Sequence, residues 1–133
     1  MADTSDILSK YKTIAVIGLS PNTMRPSYGV SDYMKRSGYR IIPVNPGHAQ
    51  ILGEKCYRTL DDVEGPVDIV NVFRRSEYVP DIAEAAIRKG AKVLWLQEGI
   101  SNEDAAQKAR DAGLEVVMDT CILKEHRKLR RKS

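Results

Sequence analysis

An α/β domain with one doubly wound parallel sheet of about five strands, and helices on both faces, is the fold this sequence predicts. Three observations predict it. A helix-like stretch, a glycine and a β-rich run recur in that order at residues 35–44, 87–96 and 110–118. The β-rich runs are continuous in Val, Ile and Leu rather than alternating with polar residues, as in strands covered on both faces. Each begins within two residues of its glycine, matching the short helix-to-strand loops of α/β units.

Taken in order, the chain opens with a short helix near residues 5–10 that sets Ile7 and Leu8 on the sheet. A strand follows at 13–17. Pro26 and Ser27 then precede Val30, Tyr33 and Met34, an amphipathic set. Gly38, Gly90 and Gly113 stand where a left-handed residue closes a helix before the next strand. Residues 53–60 read as irregular, with a short edge strand at 55–57, and a further strand spans 67–73. In the helix from 79 to 87, Val79, Ile82, Ala83, Ala86 and Ile87 fall on one face, and Pro80 is tolerated in the first turn. Ser101 is expected to cap the next helix, with Glu103 and Asp104 at its positive end.

The bulk numbers suit one soluble domain. The chain has 133 residues, of which 42% are hydrophobic and 29% charged. Its longest apolar run, 14–19, falls far short of the roughly 20 residues a membrane span needs. The polar, acidic start Met-Ala-Asp-Thr-Ser-Asp does not resemble a secretory signal. Cys56 and Cys121 lie far apart with no metal-like spacing, so the expectation is a cytoplasmic protein without a structural disulfide. The formal net charge of +3 misleads. Residues 124–133 carry six basic side chains and one acid, so the body from 1 to 123, the expected domain, is near −2. The basic segment 124–133 reads as a solvated tail. It has no aromatic residue for base stacking, which argues against a nucleic-acid partner.

In an open parallel sheet, ligands sit beyond the carboxyl ends of the strands, where strand order reverses. The strand exits here begin at Gly18, Val44, Phe73, Gln97 and Asp119, and each carries small, polar or cationic residues. A dinucleotide fingerprint would need three glycines after the first strand, but Ser20 and Thr23 occupy the second and third places. The acid that would hold a ribose diol at the end of the second strand is absent too, since Val44 leads into Asn45 and Pro46. A phosphate-bearing ligand remains favoured. Arg25 and Ser27 stand where the first long helix begins, and Arg74 and Arg75 follow Phe73.

With these residues in view, the sequence resembles the small stand-alone CoA-binding proteins, which are related to the CoA-binding domain of the succinyl-CoA synthetase alpha subunit. The resemblance runs from about Lys12 to Cys121. It rests on an ordered set: Val16-Ile-Gly-Leu-Ser-Pro-Asn22 with Arg25-Pro-Ser27, Gly38-Tyr-Arg-Ile-Ile-Pro-Val-Asn-Pro46, Leu52-Gly53, Asp68-Ile-Val-Asn-Val-Phe-Arg-Arg75, Trp95-Leu-Gln-Glu-Gly-Ile100 and Val116-Val-Met-Asp-Thr-Cys121. It implies a Rossmann-like domain that holds coenzyme A or an acyl-CoA across the strand ends, as a non-catalytic carrier, sensor or regulatory module. Leu19, Ser20, Pro21, Asn22 and Arg25 would line the pyrophosphate and pantetheine path. Val44, Asn45 and Pro46, with His48 just after, would flank the adenosine. A lysine stands near the place of His48 in the synthetase pattern, and neutral histidine is a weaker phosphate partner. Phe73, Arg74 and Val79 would border the adenine, and Gln97, Gly99 and Ile100 the arm.

A neutral second exit also suits a 3′-phosphorylated ribose, which an acid there would repel. The chain has no room for the synthetase's phosphohistidine and nucleotide-grasp parts, and its two histidines, His48 and His126, lack their setting, so no ligase activity is expected from it alone. Cys121 follows the last strand, where its ordinary reading is a small, inert packed residue and the alternative is a thiol that forms a mixed disulfide with CoA. Other classes are an NAD(P)-binding redox enzyme or sensor, and an interaction protein with a vestigial cleft. The strand ends leave room for a second copy of the chain or a partner subunit.

Overall fold

The computed structural model describes residues 3–132. Helix α1 (Thr4–Lys10) is capped by Asp3, whose carboxylate accepts from the Ser5 and Asp6 amides, and it buries Ile7 and Leu8. Strand β1 (Thr13–Ile17), helix α2 (Pro26–Arg36) and strand β2 (Arg40–Val44) follow. A two-rung antiparallel hairpin, β3 (Gln50–Ile51) and β4 (Glu54–Lys55), leads to a 3₁₀ turn at Leu60–Asp62. Then come β5 (Ile69–Val72), a second 3₁₀ turn at Ser76–Tyr78, α3 (Val79–Lys89) and β6 (Val93–Leu96). The chain continues through α4 (Glu103–Asp111), β7 (Glu115–Val117) and α5 (Ile122–Lys132).

Five strands pair in parallel in the order β2-β1-β5-β6-β7. The chain runs outward from β1 to β2, then crosses back over β1 to β5, so strand order reverses between β1 and β5. In register, Ile17 pairs with both Val44 and Val72, and Val72 pairs with Leu96, which sets four strand ends in one row. Successive β1 residues point to opposite faces. Ala15 joins the layer under α3 and α4, with Val70, Leu94, Ala83 and Ala106. Ile14 and Val16 join the other layer, under α1, α2 and α5, with Ile69, Trp95, Leu8, Met34 and Ile122. This two-sided burial is why the strands read as continuous apolar runs.

The three helix-closing glycines are left-handed as expected; at the end of α3, Gly90 has φ 74° and its amide returns to the carbonyls of Ala86 and Ile87. Three expectations need correction. Asn102 caps α4, accepting from the Ala105 amide at 2.9 Å, while the Ser101 amide instead donates to Ser76 Oγ. The edge segment at 55–57 is split: Lys55 ends the small hairpin, and Tyr57 alone bridges to β2, where its amide and carbonyl bond Pro43 and Asn45 and cover that edge. The basic segment from Lys124 is no solvated tail. It lies in α5, whose Ile122 and His126 are buried against α1 and α2. Among the described residues, no helix is long and apolar enough to cross a membrane.

Candidate functional site at the strand exits

Gly18, the first residue after β1, stands at the reversal point. Its φ is +86°, and a Cβ built there would lie 2.9 Å from the Phe73 carbonyl oxygen and 2.9 Å from Arg74 Cδ. Only glycine lets the β1 and β5 exits approach this closely. Two concavities flank the contact, and both include Gly18.

The smaller, about 300 Å³, is lined by Gly18, Ser20, Arg25, Pro26, Ser27 and Phe73. Its loop is built by its own side chains. Ser27 Oγ accepts from the Ser20 amide at 3.1 Å, Ser20 Oγ from the Asn22 amide at 3.0 Å, and Asn22 Oδ1 from the Met24 amide at 2.9 Å. Each serine hydroxyl thus uses an oxygen lone pair inside the loop and keeps its hydrogen to donate. Arg25 precedes α2 without capping it, and its exposed side chain has no carboxylate partner among the described residues. Two hydroxyl donors and a guanidinium at a helix start form an anion cradle.

The larger, about 350 Å³, has a floor of Ile17, Val44, Leu60, Ile82 and Ala85 and a rim that includes Pro46, Arg58, Arg74, Arg88, Asp61 and Asp81. Arg88 forks onto Asp61 at 2.9 and 3.3 Å, and that bond holds the Asp61 carboxyl below its ordinary range. Arg74 lies over the Tyr78 ring at 4.4 Å, which fixes its guanidinium at the rim. An apolar slot with cations at its mouth can hold a flat base and leave a phosphate outside.

The expected site residues therefore divide. Gly18, Ser20, Arg25, Ser27 and Phe73 meet in the smaller concavity, and Val44, Pro46 and Arg74 join Gly18 in the larger. Pro21, Asn22 and His48 are exposed at loop positions outside both linings. Leu19 and Val79 are fully buried, so they support the site from beneath without offering side-chain surface. Asn45 turns its amide inward to the Leu19 carbonyl at 2.8 Å, which commits one of its two N–H donors within the fold. Gln97 is only 4% exposed; it donates to Asn71 Oδ1 at 2.6 Å and accepts from the Ile122 amide at 3.4 Å. Gly99 and Ile100 stand farther along the row, where the Gly99 amide donates to Asp119 and the Asp119 amide to the Ile100 carbonyl.

Sequence reasoning missed Tyr78, Arg58, Leu60, Ile82 and Ala85. Tyr78 had a signal, an aromatic four residues after a strand-end arginine. Arg58 and Leu60 had none, because the segment that carries them is irregular until it packs. Both cysteines are free: Cys56 is buried, with desolvation raising its thiol, and Cys121 is half-buried just before α5. Among the described residues, no group of three or more His, Cys, Asp or Glu could hold a metal ion.

Comparison with known proteins bears on this geometry. The sequence profile of the CoA binding domain family matches residues 12–127. The protein YneT of Bacillus subtilis is 46% identical over 125 residues, covering 94% of this chain and 93% of that protein. A solved structure of a protein from Pyrococcus horikoshii superposes with a TM-score of 0.92 at 37% identity, over 96% of this chain and 92% of that one. The ADP-forming acetate–CoA ligase of Methanocaldococcus jannaschii is 32% identical over 85 residues, 64% of this chain but only 12% of the ligase. With this profile covering nearly all of the sheet and its exits, the chain belongs to the CoA binding domain family.

Proposed function

We propose that this protein binds coenzyme A, free or acylated, across the strand exits and acts as a non-catalytic carrier, sensor or regulatory module. The observation that carries the reading is the Gly18 contact with Phe73 and Arg74, which puts an anion cradle and an apolar slot side by side at the reversal of strand order. In this reading the pyrophosphate lies at Ser20, Arg25 and Ser27, and the adenosine enters the slot over Val44, Leu60 and Ile82. Arg58 and Arg74 stand at the mouth of that slot for the 3′-phosphate. The pantetheine arm runs along the strand ends toward Gly99 and Ile100. The cytoplasm supplies the ligand and suits the two free thiols.

A thermal-shift panel of CoA, acetyl-CoA, dephospho-CoA, NAD and NADP tests this on protein shown to be ligand-free. Ligand at about a hundred times its Kd adds roughly 2.7 kcal/mol, a rise of several degrees. CoA is expected to raise Tm, dephospho-CoA to raise it less, and NAD to leave it unchanged. No shift with any CoA species would defeat the proposal, and a shift with NAD or NADP alone would replace it with a redox reading.

A further inference from the structure

The basic segment reads in the sequence as a solvated tail with no aromatic residue for base stacking, which argues against nucleic acid. The fold places that segment in a helix packed on the body of the domain. α5 begins next to the β6 exit, where its Ile122 amide meets Gln97, and runs to the end of α2, where Arg130 stands beside Arg36 and Ser37. The helix is held in place. Tyr33 OH and His126 Nδ1 are 2.9 Å apart, Tyr33 and Tyr39 both meet the His126 ring edge-on, and Ile122 is fully buried.

The α5 cations from Lys124 to Arg131 fall into two sets. Lys124 pairs with Glu98 at 2.9 Å and Lys128 with Glu125 at 3.1 Å, so the lysine face is largely neutralised. Arg127, Arg130 and Arg131 stand three and four positions apart, on one face. They line a shallow concavity of about 310 Å³, which adjoins a second of about 390 Å³ lined by Arg36, Ser37, His126 and Arg130. Arg36 is also bonded to Asp32 at 3.1 Å. Arg127 lies over the Tyr33 ring at 5.7 Å, an aromatic that the basic segment itself lacks. Burial and the nearby Arg130 and Lys12 cations lower the His126 pKa, in keeping with a strongly positive surface there.

We propose that the arginine face of α5, with Arg36 of α2, binds the phosphodiester backbone of a nucleic acid without reading its sequence. Charge complementarity carries the proposal. Two adjoining shallow concavities that share Arg130 suit an extended chain of successive phosphates, and arginine forks fit phosphate oxygens better than lysine does. A membrane surface is the poorer partner, because the exposed large apolar side chains among the described residues are Met24 and Tyr78, and neither belongs to α5. The site is separate from the cleft, so it stands or falls independently of CoA binding.

Fluorescence polarisation of a labelled mixed-sequence strand of about 20 nucleotides, with the full chain at about 50 mM salt, tests it; the expected Kd is about 1–100 μM, in or near the non-specific range. The double variant Arg127→Gln/Arg131→Gln is expected to bind about tenfold or more weakly, with the slope of log K against log salt reduced by about 1.4. Lys124→Gln/Lys128→Gln removes the same charge from the neutralised face and is expected to lose about threefold or less. Circular dichroism and the CoA thermal shift should be unchanged in both. No polarisation change, or equal losses from the two double variants, would overturn the proposal. Equal or tighter binding to anionic phospholipid vesicles or to polyglutamate would overturn it in favour of a membrane or an acidic protein.

Discussion

Replacing Gly18 with alanine probes the junction on which the cleft depends. The left-handed backbone at φ +86° costs an L-residue about 1–2 kcal/mol. The new methyl also meets the Phe73 carbonyl and Arg74 Cδ, each at 2.9 Å, and Arg74 Cγ at 3.2 Å. Arg74 can swing away, but the carbonyl belongs to the chain leaving β5, so that strand end must move, an overpacking cost of about 1–3 kcal/mol. Together these give about 2–5 kcal/mol, a fall in Tm of very roughly 8–20 °C for a domain of this size. Gly38→Ala is the internal control: its φ is +100°, but nothing lies within 4 Å of the built Cβ, so it should lose only the backbone part, about 1–2 kcal/mol. Stiffening of the unfolded chain offsets both by a similar amount and cancels in the comparison. Thermal melts by circular dichroism and CoA titration by calorimetry read both effects. Gly18→Ala should also weaken CoA about tenfold, because Phe73 and Arg74 are displaced, whereas Gly38→Ala should leave affinity unchanged. Equal melting temperatures, or an unaltered CoA affinity in a folded Gly18→Ala protein, would refute the close approach of β1 and β5.

Arg25→Ala should weaken CoA about tenfold more than it weakens pantetheine, since a charge-assisted bond to phosphate is the contact removed; calorimetric titration of both ligands is the check, and equal losses would take Arg25 out of the phosphate site. His126 is held below its ordinary value of 6.5 by burial first and by Arg130 and Lys12 next, so the folded state resists its protonation. Its contribution to stability is therefore full above pH 6.5 and is lost as pH falls through the lowered folded value, and His126→Gln should flatten the urea midpoint across that window. Asn71 and Gln97 tie β5 to β6 through one buried amide bond of 2.6 Å, so a double-mutant cycle with leucine at each should show a coupling of about 1–2 kcal/mol in chemical denaturation. A coupling near zero would remove that bond as a strand tie.

The sheet was legible because two-sided burial leaves a strong signature: Ile14, Ala15 and Val16 are all fully buried, and no polar residue interrupts them. The anion cradle was legible for a related reason, since Gly18, Ser20, Arg25 and Ser27 lie within ten positions of one another, along a single turn. The apolar slot was not. Leu60 reaches it from a segment with no periodicity, Ile82 from a helix face that looked like ordinary core, and Ala85 from a position outside that face. Gln97 and Asn45 read as ligand contacts through the resemblance. Each also satisfies a backbone group that the fold would otherwise leave unpaired, Ile122 N–H and the Leu19 carbonyl, a role that the sequence does not show. The basic segment misled because composition alone cannot see that His126 and Ile122 anchor it.

Trp95 is the chain's one tryptophan, fully buried in β6, with its indole N–H donating to the Thr120 carbonyl at 2.8 Å. It lies one residue behind the β6 exit, directly under the junction between β7 and α5. Nature has thus installed a spectroscopic probe between the rim of strand exits and α5, with no second indole to blur it. Quenching by iodide should be weak in the resting protein, and any ligand or partner that loosens the carbonyl contact will announce itself as a red-shifted, quenchable emission without an attached dye.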